Sequence, residues 1–344
     1  DPNALLDALC GECFHLSAHG GARQERRARR TLELIEQLAK QLDTPRAQAK
    51  HQSSLAVYKL YAKGQFRDAL EAACSGLALL HQHSPGLSWD HTWLTSLKFM
   101  CLEFTGELSE LMRAATESAR DAADRDDLFT FGMLSQALTL TQLMQDDALG
   151  ASAYIASQTR KLGGEFSWLH LALLEREVDV LLYEGRGNDA FERVRASWDQ
   201  VSVYMRRSGR FVRACALLMR ARAALAAQAE TPAAAALVQI TQDSAALRQQ
   251  GVGFSGFASV IDAQLACLRG DRAAARQQLE EAIRVFSHEQ SDHVLKYVRY
   301  RLGELVGDVV GQASCRDIRA WMEQQGVVNA EHFIRIFVPV SAAR

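Results

Sequence analysis

The chain has 344 residues, of which 39 are basic and 41 are acidic, so its formal net charge is only −2. The molecule as a whole therefore lacks the positive field that draws proteins to nucleic acid or to an anionic membrane, and neither partner is expected. Apolar residues make up 48% of the chain and prolines number only 5, which excludes a disordered or collagen-like protein. A chain of this length exceeds one compact core, so several domains or one elongated array is expected.

Apolar residues recur at helical spacing along the chain, which predicts a series of amphipathic helices. The predicted helices lie at 4–18, 24–42, 53–62, 66–81, 88–104, 108–124, 127–144, 148–162, 166–183, 189–205, 211–229, 232–250, 254–269, 272–287, 292–306 and 312–325. Pro45 is expected to end the first pair, and a connector with Pro85 and Gly86 precedes the fifth helix. The stretch 331–338 indicates a short capping helix or strand. Strand patterns of useful length are otherwise missing, so we predict an all-α fold.

A turn signal followed five residues later by a small or aliphatic residue recurs about every 41 positions. The turn positions are Gly64, Gly106, Asp146, Gly185, Gly270 and Gly311. The small or aliphatic residues five positions after the first five turns are Ala69, Leu111, Ala151, Ala190 and Ala275. A hairpin of two helices cannot bury its apolar face alone, so this period predicts hairpins that stack on their neighbours.

We therefore predict one helical-repeat array over 1–344, an α/α right-handed superhelix of about fifteen helices. N-terminal repeats are expected at 1–86, central repeats at 87–306, and a C-terminal capping segment at 307–344. Stacking at this period produces an extended concave face, which the first helix of each hairpin is expected to line.

Two glycine motifs resemble catalytic signatures but stand in the wrong context. Gly251-Val-Gly-Phe-Ser-Gly256 matches a dinucleotide-binding or kinase glycine-rich loop, yet it follows a predicted helix rather than a strand. Gly163-Gly-Glu-Phe166 spells the signature of cyclic-dinucleotide synthases, yet it lies between helices, where the glycines fit a helix C-cap. We interpret both as turns, and no catalytic triad or acid–base pair can be assembled from helical spacing.

Cys10, Cys13, His15 and His19 offer four potential zinc ligands near the N-terminus. Their spacing matches no complete zinc site, and stacked helices need no metal to fold, so we predict semi-buried thiols and neither metal nor cofactor. The 7 cysteines are odd in number and lack a disulfide framework spacing, which predicts reduced thiols in the cytoplasm. The run of about 18 apolar residues that a membrane span needs is missing.

The basic run at 23–30 is interpreted as a solvated helix face, because Glu25, Glu33 and Glu36 can pair with its arginines. The candidate partner-binding residues lie elsewhere. Arg210, Arg213 and Arg220 share one face of a predicted first helix and could hold an acidic peptide or phosphate through bidentate contacts.

Three further polar residues are expected to face the groove: His91, Lys98 and His170. Their tryptophan neighbours are more consistent with core packing, because aromatic side chains dominate the contacts between hairpins. Those tryptophans are Trp89, Trp93, Trp168 and Trp198.

Several segments carry a resemblance to a known family. They are Phe104-Thr-Gly-Glu-Leu-Ser-Glu-Leu111, Leu181-Leu-Tyr-Glu-Gly185 with Ala190, Phe191 and Trp198, Leu218-Met-Arg-Ala-Arg-Ala-Ala-Leu-Ala226, Arg301-Leu-Gly-Glu-Leu305, and Ala320-Trp-Met-Glu-Gln-Gln-Gly326 with Val338-Pro339. In these segments the chain resembles the C-terminal tetratricopeptide-like (TPR-like) region of large bacterial multidomain serine/threonine protein kinases. In that family a kinase domain and a nucleotide-binding ATPase module precede the helical repeats.

The resemblance implies a regulatory or partner-binding region whose kinase and ATPase parts lie upstream of residue 1 or in another chain. The chain does not begin with methionine, which favours a fragment of a longer protein. We expect a non-catalytic chain that binds a protein or peptide segment along its concave face. One alternative is a ligand- or peptide-sensing regulator that switches an attached effector, and another is the regulatory tail of such a kinase. Homodimerisation through the terminal repeats is also expected if the ends of the array expose apolar surface.

Overall fold

The computed structural model describes residues 1–83, 88–124, 128–250, 254–289 and 291–341. Within these ranges the chain forms helices joined by turns and contains no strand, which confirms the all-α prediction. The helices are α1 (Pro2–His19), α2 (Ala22–Leu42), α3 (Pro45–Val57), α4 (Phe66–His83), α5 (Ser88–Thr105), α6 (Leu108–Asp124), α7 (Leu128–Met144), α8 (Ala148–Lys161), α9 (Trp168–Tyr183), α10 (Gly187–Arg207), α11 (Arg210–Glu230), α12 (Ala234–Arg248), α13 (Ser255–Leu268), α14 (Arg272–Glu289), α15 (Asp292–Val306), α16 (Val309–Gln324) and α17 (Ala330–Phe337). The predicted connector residues Pro85 and Gly86 lie outside the described residues.

The chain divides into two compact units. Unit 1 comprises Asp1–Thr105 and Gly209–Phe211, and unit 2 comprises Gly106–Ser208 and Val212–Arg344. Helices that follow one another in sequence pack together in each unit, from α1 with α2 through α4 with α5 in unit 1, and in unit 2 from α6 with α7 through α9 with α10 and from α12 with α13 through α15 with α16. This neighbour-to-neighbour packing is what the repeat predicted. The single array over 1–344 and its divisions at 86 and 306 stay predictions.

Each unit buries its core between neighbouring helices. In unit 1 a core cluster from α1, α2 and α3 consists of Leu6, Cys13, Ile35, Ala39 and Ala47. In unit 2 a larger cluster from α9, α10 and α11 consists of Leu171, Leu174, Val178, Leu182, Ala190, Val194, Val201, Ala216, Met219 and Ala223. Alanines in these clusters let helix axes approach closely without loss of rotamer freedom.

The first helix pair ends before Pro45, as predicted, because α2 ends at Leu42. Pro45 itself begins α3, so the predicted start of the third helix at residue 53 was wrong. The Thr44 side chain accepts a hydrogen bond from the backbone N–H of Ala47 at 3.2 Å, and Pro45 occupies the first turn. Proline is tolerated there because a first-turn N–H has no partner within the helix. A π-helical turn, Tyr58–Lys63, continues α3 as far as Gly64.

The repeat signal marks real turns at five of its six positions. Gly64, Gly106, Asp146, Gly185 and Gly270 all adopt the left-handed conformation, which glycine favours because it lacks a Cβ. The residues that follow each of them by five positions have no exposed surface: Ala69, Leu111, Ala151, Ala190 and Ala275. The small or aliphatic half of the signal therefore identifies a core position.

Gly311 is not a turn, and this part of the prediction was wrong. The left-handed residue is Gly307, with φ of 71°, and Gly311 lies in the first turn of α16. Its role is close packing, because a Cβ on Gly303 of α15 would lie 2.6 Å from the carbonyl oxygen of Gly311. Glycine at both positions lets α15 and α16 approach each other.

Unit 2 also contains contacts between its two ends. Near the end of α16, Gln325 accepts a hydrogen bond from the backbone N–H of Ser109 in α6 at 3.2 Å. The side chain of Gln145, which follows α7, donates to the carbonyl oxygen of Gly326 at 3.1 Å. Hydrogen bonds across such sequence separations go beyond a strictly serial stack.

The close approach of α15 and α16 yields a stability prediction. We expect Gly303→Ala to lower the free energy of unfolding by about 1–3 kcal/mol, because the new methyl group overpacks the helix contact. Gly11→Ala is the matched control, since a Cβ there meets no atom within 4 Å. It should raise the stability by up to about 1 kcal/mol through helix propensity. Thermal melting followed by circular dichroism measures both, and a Gly303→Ala melting point at or above that of the wild type would contradict the packing argument.

Candidate functional site

The six residues predicted to meet a partner do not form one group. Unit 1 contains His91, Lys98 and Arg210, and unit 2 contains His170, Arg213 and Arg220. Their surroundings differ, and two of the three in unit 2 are engaged in local structure.

Arg220 links three helices of unit 2. Its guanidinium donates two hydrogen bonds to the buried carboxylate of Asp243 in α12 and stacks on Trp198 of α10, with 3.5 Å between the guanidinium carbon and the ring centroid. Burial raises the pKa of Asp243, although the hydrogen bonds from Arg220 oppose this. Arg220 therefore pairs with Asp243 inside the α11–α12 hairpin and packs on Trp198 of the preceding hairpin.

His170 helps to begin α9. Its Nδ1 accepts a hydrogen bond from the backbone N–H of Ser167 at 3.2 Å, and the Ser167 hydroxyl lies 2.8 Å from the same nitrogen. The imidazole also stacks on Phe166, with 5.5 Å between ring centroids. The hydrogen bond from the Ser167 N–H belongs to a capping box, in which the third helical residue accepts from the backbone N–H of the N-cap residue.

Unit 1 presents a cluster of partly exposed aromatic side chains, which we call the unit 1 aromatic surface: Phe14, Tyr61, Trp93 and Phe211. Phe14 of α1 meets Trp93 of α5 edge to face, with ring centroids 5.3 Å apart. Tyr61 meets Phe14 at 5.8 Å and Phe211 at 4.8 Å, again edge to face. Phe14 is 39% exposed, and the other three rings are half-buried.

Arg210 precedes Phe211 and lies over the turn that follows α1. A Cβ on Gly20 would lie 2.6 Å from the Cδ of Arg210, so the glycine makes room for this side chain. Arg210 is half-buried, and within the described ranges it forms neither an ion pair nor a hydrogen bond. A cation with no ion-pair or hydrogen-bond partner among the described residues therefore lies next to the unit 1 aromatic surface.

In unit 2 the odd-numbered helices hold a protein segment of this same chain. We call residues 330–341, which comprise α17 and the extended residues after it, the C-terminal segment. Arg222 of α11 donates from Nη1 to the carbonyl oxygen of Ile336 at 3.0 Å, and Arg301 of α15 donates from Nε to that of Val338 at 3.1 Å. The backbone N–H of Val340 donates to Gln264 Oε1 of α13 at 2.9 Å.

Apolar burial accompanies these main-chain contacts. The five residues of the C-terminal segment that are at most 3% exposed are Phe333, Ile334, Ile336, Val338 and Val340. The half-buried Phe337 meets His293 and Tyr297 of α15, with ring centroids 4.5 and 5.1 Å apart. Each fully buried side chain of this kind contributes about 1.5–3 kcal/mol, so the five contribute on the order of 10 kcal/mol before entropy is counted.

Acidic neighbours compensate the two buried guanidinium groups. Arg222 lies 3.1 Å from a carboxylate oxygen of Asp179 and 3.3 Å from one of Glu175. Arg301 pairs with Glu304 and with Glu331 of the C-terminal segment, at 2.8 and 3.1 Å. Burial lowers the pKa of Arg301, but the Glu331 and Glu304 carboxylates outweigh it and the pKa is raised overall. These carboxylates hold both guanidinium groups in place as donors to main-chain carbonyls.

The thiols of Cys10 and Cys13 contact backbone carbonyl oxygens. Cys10 Sγ lies 3.9 Å from the carbonyl oxygen of Lys50, and Cys13 Sγ lies 4.0 Å from those of Ala28 and Ser54. Burial raises the pKa of the Cys13 thiol to about 12. Over the residues that the structure describes, His, Cys, Asp and Glu side chains nowhere form a group of three that could hold a metal ion.

The two glycine motifs can be located only in part. Residues 163–166 lie between α8 and α9, as predicted. Residues 251–253 lie outside the described ranges, and Ser255 and Gly256 begin α13. Among the described helices, none combines the length and apolar character needed to cross a membrane.

The sequence matches no protein-family model and no curated protein. The resemblance to the helical region of bacterial serine/threonine kinases therefore stays a prediction. Sequence reasoning missed the unit 1 aromatic surface, although one signal was available. Phe14 and Trp93 lie on α1 and α5, and Tyr61 lies on the π-helical turn that extends α3, so they share the odd-numbered helices that were expected to line a binding face.

Thiol burial predicts a graded reactivity. At pH 8 we expect the exposed Cys74 to react with a chromogenic aromatic disulfide, and Cys13 to react at least about a hundredfold more slowly because its raised pKa and burial suppress the thiolate. The rate of each reaction phase is measured from the absorbance of the chromophore that the reagent releases. Cys74→Ser should remove the fast phase and Cys13→Ser should leave it unchanged. Rapid labelling of Cys13 in the folded protein would contradict the buried position.

Proposed function

We propose that this chain is a non-catalytic protein-interaction and regulatory region that binds a protein or peptide segment along the surface of its odd-numbered helices. The observation that carries the proposal is the unit 1 aromatic surface. Its rings from α1, from the turn that extends α3, and from α5 are partly exposed beside Arg210. Aromatic and arginine side chains supply most of the energy at protein interfaces. Unit 2 supports it, because helices of the same class hold the C-terminal segment.

The proposed architecture is a TPR-like repeat of about 41 residues whose hairpins stack with a right-handed superhelical twist within each unit. Its support is the spacing of the odd-numbered helices from α1 to α15, which begin 37 to 45 residues apart. Those helices begin at Pro2, Pro45, Ser88, Leu128, Trp168, Arg210, Ser255 and Asp292.

The proposed ligand of unit 1 combines an apolar anchor with an anionic group. An aliphatic or aromatic side chain can pack against Phe14 and Trp93, because edge-to-face rings present both faces and edges to a third group. A carboxylate or phosphate on the same segment can then pair with Arg210 through the planar donor fork of its guanidinium. Arg213, three residues along the same helix, belongs to unit 2 and also forms no ion pair or hydrogen bond within the described ranges.

The proposed cellular setting is a bacterial signalling protein of the cytoplasm, in which this region regulates a serine/threonine kinase and an ATPase module encoded upstream or in another chain. The sequence segments that resemble such proteins are its support. The 7 cysteines are all free thiols, which is consistent with a reducing compartment.

Peptide display tests the proposed surface. Peptides selected from a random library on the wild-type chain should bind Phe14→Ala at least about tenfold more weakly, because truncating an aromatic anchor typically costs more than 1 kcal/mol. Leu149→Ala is the control, since that side chain is 80% exposed and lies in unit 2. Fluorescence anisotropy measures the affinities, and circular dichroism checks that each variant folds.

A matched arginine pair tests the anionic part of the ligand. Arg210→Ala should weaken the acidic peptides and reduce the dependence of their affinity on salt, whereas Arg213→Ala should leave both unchanged. Equal affinities for the wild-type, Phe14→Ala and Arg210→Ala chains would refute the unit 1 surface as the binding site.

A further inference from the structure

The C-terminal segment contacts its surroundings as a bound peptide does. Its main-chain hydrogen bonds go to Arg222, Gln264 and Arg301, which lie on three different odd-numbered helices. Its aromatic side chains meet a fourth, since His332 packs edge to face against Tyr183 of α9. We call the residues of α9, α11, α13 and α15 that make these contacts the receptor surface.

A short connector joins the segment to the rest of unit 2. Residues 325–329 follow α16, and Gly326 adopts a left-handed φ of 84°. Four backbone hydrogen bonds hold the connector: the N–H groups of Gln325, Gly326 and Val327 donate to carbonyl oxygens of α16, and that of Val328 donates to the carbonyl oxygen of Met144 at 2.8 Å. The contacts of Gln325 with Ser109 and of Gly326 with Gln145 described above also hold it. A change of conformation confined to these few residues would redirect the segment without altering the receptor surface.

We infer that the receptor surface of unit 2 also accepts the C-terminal segment of a second copy of this chain. The contacts of the C-terminal segment involve main-chain carbonyl oxygens, one N–H, the Glu331 carboxylate and apolar side chains, and all of them can form whether the segment comes from the same or another copy. A foreign segment would have to replace every buried contact, whereas a second copy regains them unchanged. Segment exchange is therefore the least costly way to fill this surface from outside.

The short connector sets the conditions under which exchange occurs. It holds the chain's own segment at an effective concentration in the millimolar range, so a dilute wild-type chain keeps its own segment bound. Exchange dominates when a copy lacks a competent segment of its own. This inference concerns unit 2 and does not rest on the unit 1 surface proposed above.

Complementation between two full-length variants tests the inference. The first, Phe333→Ala with Phe337→Ala, weakens the segment and leaves the receptor surface intact. The second, Arg222→Met with Arg301→Met, removes the main-chain donors and leaves the segment intact. Each alone should melt below the wild type and remain monomeric by light scattering. An equimolar mixture should contain a 1:1 heterodimer and a new melting transition near that of the wild type.

The controls separate exchange from general association. Mixing the first variant with a differently tagged copy of itself should yield no dimer, because neither copy supplies a competent segment. The first variant mixed with a surface-defective chain that also carries Phe333→Ala and Phe337→Ala should likewise stay monomeric. A complementary mixture that behaves as the sum of its two components overturns the inference.

A peptide covers the case in which the first variant does not fold. A synthetic peptide of residues 328–341 is added to that variant, and helical content is followed by circular dichroism. Saturable recovery of helix, abolished by adding Arg222→Met and Arg301→Met, supports a receptor surface that takes the segment from outside. Failure of the peptide to bind or restore helix shows that the segment is an inseparable part of the core, and the inference is then wrong.

Discussion

A hairpin of two helices has one apolar face that it cannot bury by itself, and the rest of this structure follows from that constraint. Each hairpin buries its apolar face against the next one, which is why neighbouring helices pack together in both units. Left-handed residues such as Gly185 and Asp146 reverse the chain between helices, and small residues such as Ala190 let the helix that follows sit close to its neighbours. Stability therefore arises from many similar local contacts.

The odd-numbered helices of unit 2 carry both apolar side chains, which must be buried, and arginine side chains, which need hydrogen-bond acceptors. The C-terminal segment meets both requirements. Phe333 and its neighbours cover the apolar positions, and main-chain carbonyls accept the hydrogen bonds of Arg222 and Arg301. A buried guanidinium without acceptors would be strongly destabilising, so segment and arginines depend on each other.

Unit 1 has a different arrangement, with Phe14 partly exposed and Arg210 without an ion-pair partner in the described part of the chain. Exposed aromatic rings beside an unpaired cation are a common starting point for protein recognition. The contrast between the two units is the basis for assigning partner binding to unit 1 and segment exchange to unit 2. Both proposals depend on the same physical feature, a helix face whose side chains a protein segment can cover.

The sequence by itself determined the helices, the turns and the core positions that follow them, because these depend on local periodicity and on residues such as Gly64 and Ala69 that lie five positions apart. Only the tertiary structure decided where the polar residues point. Arg220 donates hydrogen bonds to Asp243, and the N–H of Val340 donates to Gln264, which lies 76 residues earlier in the chain. Such contacts leave no periodic trace in the sequence, because they depend on where distant helices meet rather than on the spacing along any one of them.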